Sequence, residues 1–507
     1  MESTTSDDSR EPAGASRRTQ AILVAFVVLV SCLLVRQSEP YVMGDGGEYI
    51  AMAWQMSHGR PPSLTVEDTE GFARHINSQP TQTYLLRGEE GCCIYRLAQL
   101  ESGGRYDFAH FWLYPLLAAP FVLVTRLIGF ADTYAFFGLH LLLMVAVAVT
   151  VSRRAGPWAT AAVLISPLVF WLDKPHTEIL VFAAIALAMC WREDRPELGT
   201  VVLAVAASQN LALAPLLPLY ALSVLSSRGW GWLRPRTLAA LGLAAAIVAV
   251  HPIYYLLRLG AIDPQSLLGD QQFRIPSPTK LLTPLVDPYL GMLVWWPALF
   301  VLVALAGASG FHWARQEGWR PSVRPVLPGV ILGLMALSVL FGAAQNLNSN
   351  HGATFSMSRY ATWLAPLAVP ALIWLRRWSG PLDRTVVAGV ALASMAFSLI
   401  VANPSKRENL IFQPSYASAF AFRYFPTLYD PLPEVFIERE AAIATDDKRG
   451  APAATSDCAK VLVYQGQWPE RCPRPETVPA RCVEARFCYA SRAGPAIYKY
   501  STVKDLS

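Results

Sequence analysis

Read as apolar and polar positions, the chain is a series of long apolar stretches separated by short polar ones. The first, AILVAFVVLVSCLLV at 21–35, follows Arg17 and Arg18. Similar stretches recur at 133–151, 157–171, 178–191, 199–212, 213–226, 237–256, 291–309, 326–344, 360–376 and 385–402. A hydrocarbon core about 30 Å thick selects such segments, because a helix rises ~1.5 Å per residue. The pattern predicts an all-α polytopic membrane protein with about eleven transmembrane helices. HFWLYPLLAAPFVLVTRLIG at 110–129 is apolar enough to cross, but Pro115 and Pro120 disfavour a plain helix. Counting it as a span would also put Arg153 and Arg154 on the wrong side. It reads as a half-buried or interfacial helix. The 199–226 pair reads equally as one kinked span, since Pro215 and Pro218 interrupt it.

Arginine in short loops sets orientation. Arg17/Arg18, Arg153/Arg154, WREDRPELG at 191–199, SSRGWGWLRPR at 226–236, HWARQEGWRPSVRP at 312–325 and RRWSGPLDR at 376–384 are all assigned to the cytoplasm. The first loop, 36–109, and the region 404–507 then fall outside, with residues 21–403 as the membrane domain. Residues 1–20 are polar and read as a disordered cytoplasmic N-terminus. RQSEPYV after the first stretch lacks a small-x-small cleavage pattern, so that stretch is read as an uncleaved anchor. In the C-terminal region KVLVYQG and AIYKYS look like short strands between Pro-rich loops, a small extracytoplasmic α+β or irregular domain.

Composition agrees: 53% of residues are hydrophobic and 16% charged, the wrong balance for a soluble protein of 507 residues. A net charge of +5 without a basic-aromatic patch excludes nucleic acid as a partner. Six of the eight cysteines, Cys92, Cys93, Cys458, Cys472, Cys482 and Cys488, lie in outer segments. They read as disulfides, and the last four allow three pairings. Cys32 and Cys190 read as small lipid- or core-facing residues.

Candidate chemistry begins in YVMGDGGEYIAMAWQMSHG at 41–59, where Asp45 and Glu48 sit among glycines. A carboxylate beside a bilayer needs a partner or a task. Asp45 is placed either to cap the following helix or, with Gly44, Gly46 and Gly47 leaving it uncovered, to meet a substrate. The run after it is amphipathic and suits a membrane surface. No P-loop, dinucleotide fingerprint or H-E-x-x-H appears, and no complete metal-ligand set accompanies Asp45 and Glu48, although a divalent metal there is conceivable.

These features resemble the GT-C class of integral-membrane glycosyltransferases, the superfamily of protein O-mannosyltransferases and lipid A aminoarabinose transferases. GDGGEYIAMAWQMSHG is similar to the acidic motif of their first outer loop. RYDFAHFWLYPLLAAPF at 105–121 resembles their second outer juxtamembrane segment, and SPLVFWLDKPHTEILVF at 166–182 the segment carrying a second acid. LVDPYLGMLVWWPALFVL at 285–302 and SMSRYATWLAPLAVPAL at 356–372 look like later spans of the class. The resemblance covers about residues 20–402. It implies transfer of a sugar from a polyprenyl-phosphate donor to an envelope glycan, lipid or protein, at the outer face of what is expected to be a bacterial inner membrane. It assigns Asp45 as the base, with inversion. Glu48 is a helper; the usual motif has adjacent acids, whereas two glycines separate these. Glu178, with Asp173 as alternative, is the second acid. His110 and His351 are candidates for touching sugar or acceptor, and His176 is weighed with them. Arg359, then Arg258, are candidates for the donor phosphate, against the alternative of snorkelling to head groups. His251, deep in a span beside Pro252, is expected to bond a backbone carbonyl. The competing classes are a transporter or flippase for lipid-linked glycans, which would place charges at mid-span, and a non-enzymatic envelope scaffold.

Overall fold

Apolar stretches without water partners close their backbone hydrogen bonds internally and so fold as helices. The computed structural model describes residues 16–38, 40–42, 44–79, 82–83, 100–268, 274–316, 323–346, 348–349, 357–378, 381–404, 415–441, 452–455, 457–492 and 498–503. The chain is mostly helical, at 69%. Among the described residues five helices are long and apolar enough to cross a membrane: Arg17–Ser38, Thr133–Ala155, Leu211–Arg228, Pro235–Leu259 and Arg384–Val401. Leu113–Leu127, Glu178–Trp191, Pro297–His312 and Leu327–Ala343 are shorter apolar helices. These helices suit association with a membrane.

Prolines set where the other stretches break. Residues 157–171 form helix Pro157–Leu164 and a 3-10 turn Pro167–Trp171, with Ser166 extended before Pro167. Residues 361–378 run as Ala361–Leu364, a 3-10 turn Ala365–Ala368 and Val369–Trp378, broken around Pro366. The ambiguous 199–226 stretch is two helices, Pro196–Gln209 and Leu216–Arg228, separated at Asn210, whose backbone is extended. They run antiparallel: Arg192, just before the first, donates to Ser223 Oγ near the end of the second.

The described residues divide into two units. The first comprises Met1–Ile253, Ala298–Met335 and Leu364–Ser405. Basic loops from distant parts of the chain meet at one end of its helices. Arg376 donates to the carbonyls of Ser152 and Arg153, at 3.2 and 2.9 Å. Arg154 pairs with Glu193 and Asp194, Arg377 with Glu193, and Arg236 with Glu197. The segments that carry Asp45, His110 and Glu178 meet at the other end, where helices Thr133–Ala155 and Glu178–Trp191 begin. The division made from loop charge is therefore also a division in space within this unit.

The first outer loop carries more structure than its sequence suggests. Helix Val66–Asn77 follows a capping box in which Thr65 and Asp68 each bond the other's backbone N–H. Its His75 lies 2.9 Å from buried Asp132, which also pairs with Arg126 at 2.9 Å. Helix Gly46–Ser57 is buried from Gly46 to Gln55, packed with Phe72, Phe108, Tyr114 and Phe136. This corrects the expectation of an amphipathic surface helix: YIAMAW is apolar almost all round, so it seeks protein on every side. Helix Leu113–Leu127 meets helix Thr133–Ala155 through Arg126–Asp132, Phe121–Gly138 and Tyr114–His140.

The second unit comprises Tyr254–Pro297, Ala336–Trp363 and Lys406–Ser507. Near the C-terminus a four-stranded antiparallel sheet runs in chain order through Ala453–Ala454, Lys460–Tyr464, Phe487–Arg492 and Tyr498–Val503. Both expected strands are present. Of the three possible cysteine pairings the sequential one is found, Cys458–Cys472 and Cys482–Cys488, inside the sheet's core with Val461, Val463 and Trp468. Cys92 and Cys93 lie outside the described residues. Cys32 is exposed and Cys190 buried, as expected of lipid- and core-facing positions.

DPYLG at 287–291 forms a turn. Asp287 accepts from the backbone N–H groups of Tyr289 and Leu290, at 2.8 and 3.0 Å, and from the Tyr429 hydroxyl at 3.1 Å. A Cβ on Gly291 would come within 2.5 Å of the Asp287 nitrogen, so the glycine is required. Burial lifts the Asp287 carboxyl from 3.8 to about 6, against its hydrogen bonds and the charge of Arg439. A carboxyl raised on folding stabilises below its unfolded value and loses that contribution as pH rises through its folded value. Asp287→Asn keeps an acceptor for the turn and cannot ionise. The wild type should therefore lose about 2 kcal/mol relative to this variant between pH 4 and pH 6.5. Thermal unfolding in detergent at both pH values measures it; parallel curves would refute it.

Candidate functional site

The turn at Gly44 opens the site. Gly44 has φ +48°, a left-handed conformation that suits glycine, and a Cβ on it would sit 3.9 Å from the His176 ring. A Cβ on Gly46 would come within 2.8 Å of Pro175 Cγ. The glycines thus let the start of helix Gly46–Ser57 press against the 175–176 loop. Asp45 occupies the N-cap position of that helix, yet its side chain makes no capping bond. The capping role is set aside, and the carboxylate points elsewhere.

It points to His110. Asp45 Oδ2 lies 3.4 Å from His110 Nε2, and Glu48 Oε2 lies 3.1 Å from His110 Nδ1. The His110 backbone N–H also donates to Glu48 Oε2, at 3.2 Å. One imidazole therefore stands between two carboxylates. Neutral, it can donate to one of them; protonated, it donates to both. The two acids are not equivalent. The Asp45 side chain is 24% exposed and that of Glu48 only 8%. Burial, and the nearby Asp45 charge, push the Glu48 carboxyl above the usual glutamate range, although His110 pulls it down. Asp45 is thus the acid that a ligand can reach, and Glu48 fixes His110 from below.

Tyr49 is the hub. Its ring meets those of His110, Tyr114 and His176 edge-on, with centroids 5.6, 5.2 and 6.3 Å away. His176 Nδ1 lies 3.8 Å from Glu178 Oε2, and both residues are buried. Behind them His140 Nε2 lies 2.7 Å from the Tyr114 hydroxyl and its Nδ1 3.2 Å from the Leu172 carbonyl oxygen. This holds the 172–176 loop against the two helices. Between the proposed second acids, Asp173 is committed to the Lys174 ammonium, at 2.7 Å, which leaves Glu178 as the acid on the His176 side.

No family model, curated protein or solved structure matches this chain.

Asp45, Glu48, His110 and Glu178, all singled out in the sequence, come together in the first unit, joined by His176. His251 bonds a backbone carbonyl as expected, but that of Ser208 in another helix, at 2.7 Å, rather than one freed by Pro252. Arg258 and Arg359 belong to the second unit. Arg258 is half-buried in the last turn of helix Pro235–Leu259. Arg359 Nη2 donates to the Tyr360 hydroxyl at 3.4 Å. That hydroxyl also accepts from Asn346 Nδ2, and the Asn346 carbonyl accepts from Lys280 Nζ. Lys280 is the cation that sequence reading missed. Burial lowers its pKa, with Arg274 adding to the fall and Glu434 opposing it. His351 lies outside the described residues. Among the described residues no cluster of His, Cys, Asp and Glu could hold a metal ion.

Proposed function

We propose that the chain is a membrane glycosyltransferase of the GT-C kind, moving a sugar from a polyprenyl-phosphate donor to an envelope glycan, lipid or protein. The observation that carries this reading is the reachable Asp45 carboxylate, held by His110 over buried Glu48. The acceptor hydroxyl oxygen attacks the anomeric carbon and its proton passes to Asp45. The bond from that carbon to the phosphate oxygen breaks, and the phosphate leaves with the electron pair, giving inversion. Glu48 and His110 orient Asp45, while His176 and Glu178 border the site. Arg359 and Lys280, joined through Tyr360 and Asn346, are assigned to the donor phosphate; two cations on one hydrogen-bonded string suit the second negative charge that this phosphate gains as it leaves. The finer architecture belongs to the same reading: about eleven spans, N-terminus in the cytoplasm, site and C-terminal sheet outside, in a bacterial inner membrane.

The test is direct. Purified protein is given radiolabelled polyprenyl-phosphate sugars and envelope extract, and incorporation is followed. Transfer from at least one donor is expected. Absence of transfer from every donor would overturn the reading in favour of transport or scaffolding. Separately, Arg359→Ala with Lys280→Ala should weaken donor binding at least tenfold.

A further inference from the structure

Helix Tyr416–Tyr424, in the second unit, carries an aromatic stripe that its fold does not cover. Tyr416, Phe420 and Tyr424 recur every four residues and so share one face. They are 97%, 55% and 56% exposed, and Phe425 and Leu428, at 49% and 81%, extend the patch. The opposite face is firmly seated. Phe422 packs on Tyr289, Tyr429 and Phe436, with ring centroids 5.0–6.2 Å apart. The helix start is fixed as well: Ser415 and Ser418 form a capping box, and Ser415 Oγ donates to the Pro288 carbonyl at 2.7 Å. A rigid helix therefore presents a continuous aromatic surface outward, which water disfavours.

We propose that this helix is a membrane-interface anchor whose occupant is the head-group and upper acyl region of the lipid bilayer. Its chemistry fits that layer. Tyrosine pairs an apolar ring with a polar hydroxyl and is enriched at the membrane boundary, and exposed Arg423 suits anionic head groups. Its attachment fits as well. Pro288, to which it is bonded, stands nine residues before apolar helix Pro297–Gln316. The helix is thus tied to a point close before an apolar helix begins, as an interfacial helix can be. The anchor is independent of the chemistry assigned to Asp45.

The test uses the full chain in nanodiscs of phosphatidylcholine and phosphatidylglycerol that include a clickable phospholipid. Phe420→p-benzoylphenylalanine and Tyr416→p-benzoylphenylalanine are irradiated in turn, with inward-facing Phe422 replaced likewise as control. Lipid adducts at 416 and 420, at least fivefold above those at 422, are expected. Adducts to a second copy or to a co-purified protein would overturn the proposal and mark the stripe as a protein interface. Equal labelling at all three positions, or no lipid adduct, would also overturn it.

Discussion

Asp45→Asn should lower the rate of sugar transfer about a thousandfold, the middle of the range by which a positioned general base accelerates proton transfer. The substitution is nearly isosteric, and the amide oxygen still accepts from His110, so the site keeps its shape. The Asp45 side chain makes no capping bond to its helix, so no cap is lost. Donor affinity should be unchanged, because the base acts on the acceptor. Incorporation of label and thermal unfolding, measured on one preparation, separate these effects. Glu48→Gln should cost about tenfold, since it removes charge beneath His110 without removing the base. Equal transfer by wild type and Asp45→Asn at equal protein level would remove Asp45 from the mechanism.

The largest effect on stability is expected at Lys174. Its ammonium is buried beside Asp173 and donates to Asp173 Oδ1 at 2.7 Å, the Phe170 carbonyl at 2.8 Å and the Pro404 carbonyl at 3.3 Å. It ties the loop bearing His176 and Glu178 to the chain just beyond helix Pro381–Val401. Burial raises the Asp173 carboxyl, and Lys174 is first among the groups that pull it back. Lys174→Met strands that carboxyl and two carbonyls, so a loss of about 3–5 kcal/mol is expected. Adding Asp173→Asn should restore part of it, because the buried charge is gone. Unfolding curves for the two single variants and the double variant give the coupling. A Lys174→Met protein as stable as wild type would refute the role.

Sequence pattern revealed most of the helices, two of the four strands of the C-terminal sheet and the separation of basic loops from the acidic motif, because each is written in short-range periodicity or charge. Thr65 and Asp68 announce helix Val66–Asn77 just as locally, and that signal was missed. The assembly of the site was legible only as a list of residues. His110 reaches Glu48 across 62 positions and Lys174 reaches Pro404 across 230, and nothing local encodes such meetings. Tyr49 reads as one more apolar residue of its helix; its place among His110, Tyr114 and His176 exists only once three segments pack. Lys174 in LDKPH looks like a solvated loop residue, and burial alone makes it a structural cation. Lys280 gave no signal because its partners, Asn346 and Tyr360, lie in a separate part of the sequence.

The bond between Glu48 and His110 does more than orient a base. It draws together the two ends of the first outer loop, and the pairing of Tyr41–Val42 with Gln82–Thr83 closes that loop again nearer its middle. The entropic cost of closing a loop rises only with the logarithm of its length, about 0.6 kcal/mol per doubling. The register of the two carboxylates is therefore set by these two fastenings and depends little on how long the loop is.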